Sequence, residues 1–253
     1  MPLSFVHLNI ERDRHLDRIG PFLKERMPDV VCLQELLLED VPHLESLLGA
    51  RCFFVPMMYV QHPRGRVTEG VGIFSRFPIA ATSEHWIGGK EGELVDYIDT
   101  VPEEKLLTQR YVIAIVDIEK DGETYRIATT HFPVTVGGSE SDIQNGVLDR
   151  FLEVTATLEE FVVTGDFNAP RGGPAFSRLC ERYTDNVPSA YMMSLDLTLH
   201  RAGAKLPADI AKLGLPGLMV DGVFSTVGYR VVDVEMICGV SDHCALVGSI
   251  EKQ

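Results

Sequence analysis

The stretch Val162-Val163-Thr164-Gly165-Asp166-Phe167-Asn168-Ala169-Pro170 decides how this chain is read. It begins as an apolar run, Phe161 to Val163, of the kind that forms a buried strand. At Gly165 the run breaks and delivers an acid and an amide, Asp166 and Asn168, before Pro170 and Gly172-Gly173 open a loop. A strand that ends on Asp and Asn is a rigid mount for polar chemistry, because the sheet fixes the backbone while the tip meets solvent. The same two residues are also ordinary turn formers. What separates the two readings is what the other strands carry at their ends.

Leading into this strand, Ile143, Val147, Phe151, Leu152, Thr155 and Leu158 trace one face of a helix. Before the helix, Gln109–Glu119 and Thr124–His131 flank Asp121-Gly122, a hairpin signal. Nearer the N-terminus, Leu3–Asn9 reads as a strand, and Leu16, Ile19 and Leu23 recur at helical spacing, with a kink or a split expected at Gly20-Pro21. Val30–Leu33 is a short strand ending at Gln34-Glu35, Val41–Leu48 a helix, and Arg51–Val60 and Gly70–Ser75 strands around a polar loop, Gln61–Glu69. Ile87–Lys105 is an acidic excursion without periodicity, and Gly137-Gly138 marks a loop. Tyr183–Leu218 is irregular and partly apolar; Val220–Thr226, Arg230–Ile237 and Cys244–Ile250 read as closing strands. Strands outnumber helices and many meet at hairpin-like turns, which predicts mainly antiparallel or mixed sheets packed face to face with helices outside. No repeat or linker appears, so residues 1–253 are expected to form a single domain.

The balance of 23 basic and 37 acidic residues, a net charge of −14, argues against a broad cationic footprint for long nucleic acid. It leaves room for a local cationic cleft or a metal ion that supplies positive charge itself. The five cysteines are odd in number, with no Cys-x-x-Cys, which predicts reduced, mostly buried thiols and no zinc site. No basic segment followed by an apolar stretch opens the chain, and no run approaches membrane-spanning length, so the expected location is cytoplasmic.

Five other predicted strand ends carry polar residues: Asn9, Glu35 after Gln34, His131, Asp221, and Ser241-Asp242-His243. Each alone is a common turn, cap or surface residue. Together with Asp166 and Asn168 they form a set that six separate coincidences would be needed to explain.

With Gly70-Val71-Gly72-Ile73-Phe74-Ser75-Arg76 between the second and third of them, these motifs occur in an order that resembles the endonuclease/exonuclease/phosphatase superfamily. That family includes pancreatic-type deoxyribonuclease, abasic-site endonucleases and neutral sphingomyelinases. The resemblance runs from residue 3 to about residue 250. It implies an α+β fold, a four-layer α-β-β-α sandwich with the site at one edge of two mainly antiparallel or mixed sheets. It implies a divalent-metal-dependent phosphoric ester hydrolase: Glu35 as a ligand for Mg²⁺, or Mn²⁺, with Asn9 and Asp242 in support. It further implies Asp166 as the group that orients and deprotonates water, Asn168 as an amide donor to the transition state, and His243 on a phosphate oxygen. Asp221 would orient His243, and His131 would stabilise the phosphate or assist the leaving group. Phe132-Pro133 after His131 and Met219-Val220 before Asp221 depart from the family's common pattern.

Arg110 is a weaker candidate for phosphate contact, equally readable as a solvated arginine on a strand edge. The expected substrate is a phosphate ester, with a phosphodiester or nucleic acid ranked first and a small phosphorylated metabolite or lipid head group second. A catalytically silent binding module ranks last, because none of the expected positions is eroded. No membrane span and no obligate protein partner are evident.

Overall fold

The computed structural model describes residues 1–98, 108–135, 141–214 and 216–253. Two six-stranded mixed sheets pack face to face. In chain order the elements are β1 (Leu3–Asn9), α1 (Leu16–Arg26), β2 (Val30–Leu37), α2 (Val41–Leu48), β3 (Arg51–His62), β4 (Gly65–Ser75) and β5 (Ile79–Gly89). Then follow β6 (Arg110–Lys120), β7 (Glu123–His131), α3 (Asp142–Thr155), β8 (Val162–Asp166), α4 (Pro174–Cys180) and β9 (Thr184–Asp185). The chain closes with α5 (Leu206–Leu213), β10 (Asp221–Ser225), β11 (Tyr229–Ile237) and β12 (Ala245–Lys252). The first sheet runs β11-β12-β1-β2-β4-β3, the second β5-β6-β7-β8-β10-β9.

Each sheet holds one parallel pair at its centre, β1–β2 joined through α1 and β7–β8 joined through α3. Parallel strands finish at the same edge, so their last residues lie side by side: Asn9 opposite Gln34, and His131 opposite Asp166. The antiparallel neighbours start where these strands stop, which puts Asp221 opposite Asp166 and the residues before β12 beside Asn9. Close approach of β7 and β8 requires Gly165, since a Cβ there would lie 2.8 Å from the Thr130 carbonyl oxygen.

Alternation along β1 sorts the layers. Leu3 and Phe5 face the core between the sheets, while Val6 and Leu8 join Ile19, Leu23, Leu44 and Leu48 under α1 and α2. The inward series continues as His7 and Asn9, so the core turns polar as it approaches the edge. Gln34 Nε2 donates to Thr129 Oγ1 at 2.8 Å and bridges the sheets just below that edge.

Several sequence expectations are corrected. Helix α1 is not split at Gly20-Pro21: Pro21 lies on its exposed side, where the Asp17 carbonyl that loses its donor can meet water. The stretch Gln61–Glu69 is not a loop: β3 and β4 form a long hairpin turning at residues 63–64. Its charged residues have lateral partners, Arg64 bidentate on Asp40 at 2.7 Å and Arg66 on Asp96 at 2.6 Å. Gly137-Gly138 and residues 99–105 of the acidic excursion lie outside the described residues; of the rest, β5 reaches Gly89 and Asp96 bridges to Tyr59.

The cysteine expectation is also overturned. Cys238 and Cys244 are disulfide-bonded, with Cα atoms 4.2 Å apart, while Cys32 is buried, Cys52 half-buried and Cys180 exposed. Residues Ile237 and Ala245 pair across the β11–β12 hairpin, which brings the next two residues face to face. Linking them closes a loop worth about 2 kcal/mol in chain entropy. Replacing both cysteines by alanine is therefore expected to lower Tm by roughly 4–8 °C in non-reducing buffer. An unchanged melt in differential scanning calorimetry would show that the paired strands alone hold the loop. Among the described residues no helix is long and apolar enough to cross a membrane.

Candidate active site

Eight of the polar residues singled out in the sequence come to one sheet edge, around a cavity of about 430 Å³ whose lining includes Glu35, His131, Asp166, Asn168, Asp242 and His243. Asp166 is the hub. Its Oδ2 lies 3.1 Å from Asn9 Nδ2, 3.5 Å from His131 Nε2 and 3.8 Å from His243 Nε2, and its Oδ1 accepts the Asn168 backbone N–H at 3.0 Å. Asn9 comes from the first sheet and Asp166 from the second, so this contact closes the sandwich at its rim. Asn9 Nδ2 also donates to Glu35 Oε1 at 3.2 Å.

Local backbone geometry aims these side chains. Alternation from Val31 and Leu33 would send Glu35 outward, under the helices. Instead the β2–β4 ladder shifts register between Leu33 and Leu36, and Glu35 adopts φ 53°. A bulge that re-aims one side chain is a common device beside active sites. Glu11, Arg12 and Asn168 likewise have positive φ and line the cavity. Such conformations persist only when the surroundings over-determine them. Around Asn168 the anchors are Phe132 and Phe167, which pack edge-on to each other and to Phe151, with centroids 5.2–6.1 Å apart. Gln144 on α3 donates to the Asn168 carbonyl at 2.8 Å, and Asn168 Nδ2 donates to the Phe132 carbonyl at 3.0 Å, leaving its second amide N–H for the cavity.

Behind His243 lies Asp221, fully buried, whose Oδ2 is 2.7 Å from His243 Nδ1. Burial alone would raise the Asp221 carboxyl, but the His243 charge and hydrogen bonds from His243 and His7 hold it well below the carboxylate range. Burial opposes charge on His243, yet the Asp221 and Asp166 carboxylates raise it well above its ordinary value. The imidazole therefore presents Nε2–H to the cavity. For Asp166, burial wins and the carboxyl is raised.

Sequence reasoning missed four residues. His7 Nε2 bonds the other oxygen of Asp221 at 2.9 Å, reaching across from β1; its clue is its inward place two residues before Asn9. Glu11 follows Asn9 by two, donates its backbone N–H to Asn9 Oδ1 at 3.1 Å, and lines the cavity beside Asp242. Arg12 and Glu69, also in the lining, form an ion pair at 2.5 Å. Burial, then the nearby Glu35 charge, push Glu69 up to about 7. Arg110 is placed elsewhere: it donates to Glu84 at 3.1 Å and to the Pro56 carbonyl at 3.4 Å, and it does not line the cavity.

The donor set suits a hard divalent cation. Glu35 and Asp242 are carboxylates, Asn9 brings an amide oxygen, and Glu11 Oε1 is buried without a hydrogen-bond partner, although Arg201 Nε lies 2.8 Å away. Glu11, His15 and Asp242 each offer a ligand atom within 4.8 Å of the others. Burial, with Glu11 and Glu35 adding repulsion against the pull of His243, raises Asp242 to about 6. Crowded, desolvated oxygens of this kind are what Mg²⁺ or Mn²⁺ relieves.

The sequence model of the Endonuclease/Exonuclease/phosphatase family matches residues 6–243. This chain belongs to that family. No curated protein matches its sequence. Among solved structures, an endonuclease/exonuclease/phosphatase from Bacteroides vulgatus is similar with a TM-score of 0.72 at 17% identity, covering 100% of both chains. The human Nocturnin catalytic domain with bound sulfate superposes with a TM-score of 0.69 at 15% identity, over 100% of this chain and 94% of that one. A mannosyl-6-phosphatase from Bacteroides thetaiotaomicron gives 0.64 at 11% identity, over 98% and 99%. At these identities the likeness speaks to the two-sheet sandwich fold, and the chemistry has to be argued from the site.

Proposed function

We propose that this endonuclease/exonuclease/phosphatase family chain hydrolyses phosphate esters with the help of a divalent cation, Mg²⁺ or Mn²⁺. The observation that carries this reading is the Asp166 carboxylate, ringed by Asn9, His131 and His243 within 3.8 Å and opening on the same cavity as Glu35 and Asp242. Glu35, Asp242, Glu11 and the Asn9 amide would hold the cation. When bound it supplies charge neutralisation at the phosphoryl oxygens and Lewis acidity toward water.

The remaining work falls to the chain's own groups. Asp166 accepts the proton of the attacking water and is kept in line by the Asn9 and Asn168 N–H groups. His243 donates Nε2–H to a non-bridging oxygen, its ring fixed by Asp221. His131, 3.5 Å from Asp166, is placed to meet the phosphate or the departing oxygen, and the free amide N–H of Asn168 adds a neutral donor.

A phosphodiester, including nucleic acid, is one substrate reading and an ester of a small metabolite or lipid head group the other. The second is favoured by the cavity's charge: among the described residues, the lysine and arginine side chains in its lining are Arg12 and Arg201, each set against a carboxylate, Glu69 and Glu11. Among the described residues that lining offers a polymer's flanking phosphates few cations, and such contacts dominate nucleic-acid affinity.

The test is a panel of p-nitrophenyl phosphate, bis-p-nitrophenyl phosphate and single-stranded DNA with Mg²⁺ or Mn²⁺, each with and without EDTA. Turnover of a small ester that EDTA abolishes is expected; no hydrolysis of any of the three would overturn the assignment. Glu35→Ala is expected to shift the half-saturating Mg²⁺ concentration upward by roughly 10-fold to 100-fold, as losses around a metal typically do, with partial rescue in excess Mg²⁺. An unchanged metal titration would remove Glu35 from the ligand set.

A further inference from the structure

Two small apolar clusters stand apart from the main cores, and both reach the cavity. One gathers Leu195, Leu206, Leu218 and Val220 on the segment around α5; the other gathers Leu37, Met58, Val60 and Val67, with Tyr97 packed on it. Five of these side chains, Leu195, Leu206, Leu218, Val220 and Met58, line the same cavity as Asp166 and His243. Val134, three residues beyond His131, lines it too, yet remains 43% exposed. Ile98 and Leu197, 36% and 41% exposed, neighbour the lining residues Tyr97 and Leu195 along the chain. Scattered exposed apolar residues need no explanation, but Val134 lines a polar site together with five other apolar side chains.

A phosphate ester has two unlike ends, an anionic phosphoryl group and the carbon skeleton of its alcohol. The cavity lining offers both kinds of surface, Asp166 and His243 on one hand and Leu195, Leu206, Leu218, Val220, Met58 and Val134 on the other. Resting on the hydrolase reading above, we infer that these apolar lining residues receive the alcohol portion of a pocket-sized ester, and that Val134 helps set a preference for apolar or aromatic alcohols over polar ones. Burying a ring against apolar lining such as Val134 removes apolar surface from water, a gain that a sugar or glycerol would not make there. The volume of about 430 Å³ holds one such molecule.

The experiment separates this inference from the reaction itself by measuring binding of non-hydrolysable probes. In isothermal titration calorimetry with Mg²⁺ present, phenylphosphonate is expected to bind about 10-fold tighter than methylphosphonate, which is ~1.4 kcal/mol. Val134→Asn, at an exposed position where a polar side chain leaves folding intact, should cut that ratio to about threefold or less. Equal affinity for the two phosphonates, or a ratio that Val134→Asn leaves unchanged, would overturn the inference while leaving the phosphate site standing. Displacement of phenylphosphonate by a single-stranded oligonucleotide, with steep salt dependence, would overturn it in favour of a polymer. Failure of both phosphonates to bind would bring down the hydrolase reading and this one together.

Discussion

Asp166→Asn is expected to lower kcat by on the order of 10²-fold or more, with KM changed little, because it removes the proton acceptor and leaves the shape of the site intact. The amide is nearly isosteric with the carboxylate, but Asn9 Nδ2 donates to Oδ2 and the Asn168 N–H to Oδ1, so its single oxygen keeps one of these two contacts. Stability should change little, the lost contact being offset by removal of the buried charge. The Asp166 carboxyl is buried and raised above its ordinary value by that burial, with Asp221 adding repulsion against the pull of His243, so neutralising it relieves a cost. Steady-state kinetics on p-nitrophenyl phosphate and a thermal melt check both halves. Full activity with the same metal requirement would show that another group handles the proton.

His243→Ala is expected to cost a similar factor, on the order of 10²-fold to 10³-fold in kcat, as loss of a preorganised donor to a developing oxyanion does. Here stability should fall as well. Asp221 would lose its 2.7 Å partner and keep only His7 on its other oxygen, and a buried acceptor stripped of a partner costs about 1–3 kcal/mol. Adding Asp221→Asn to His243→Ala should therefore recover some stability and slow catalysis no further, because Asp221 acts through the imidazole. If the double variant were slower than His243→Ala by as much as Asp221→Asn alone slows the natural chain, Asp221 would have a separate part in the reaction.

Asn9, Gln34-Glu35, His131 and Asp166 were legible as polar strand ends in the order of a family; that they meet at one edge comes from the parallel pairs β1–β2 and β7–β8, which an expectation of mainly antiparallel or mixed sheets does not single out. What stayed hidden depended on departures from regular alternation. Glu35 itself was named, but β2 does not end there: it runs on to Leu37, and a bulge that no period-two pattern announces aims Glu35 at the cavity. Glu11 and Arg12 enter it from left-handed turn conformations, within what reads as a solvated polar turn. Glu69 sat in a supposed loop because the β3–β4 ribbon carries charge, and only the folded chain supplies the Asp40 and Asp96 partners that make it a strand. His7 was unremarkable until the opposite sheet brought Asp221 to it. The Cys238–Cys244 bond escaped because an odd, scattered cysteine count says nothing about which two residues a hairpin will set opposite each other.

The pairing of β1 with β12 has a consequence for how such a chain is made. Asn9 and Glu35 precede Asp242 and His243 by most of both sheets. A nascent chain halted between Pro170 and Asp242 would carry Glu35 and the Asp166 loop but would lack Asp242 and His243. On the hydrolase reading, activity should switch on only once these two residues join the edge, and products truncated before them should be inert.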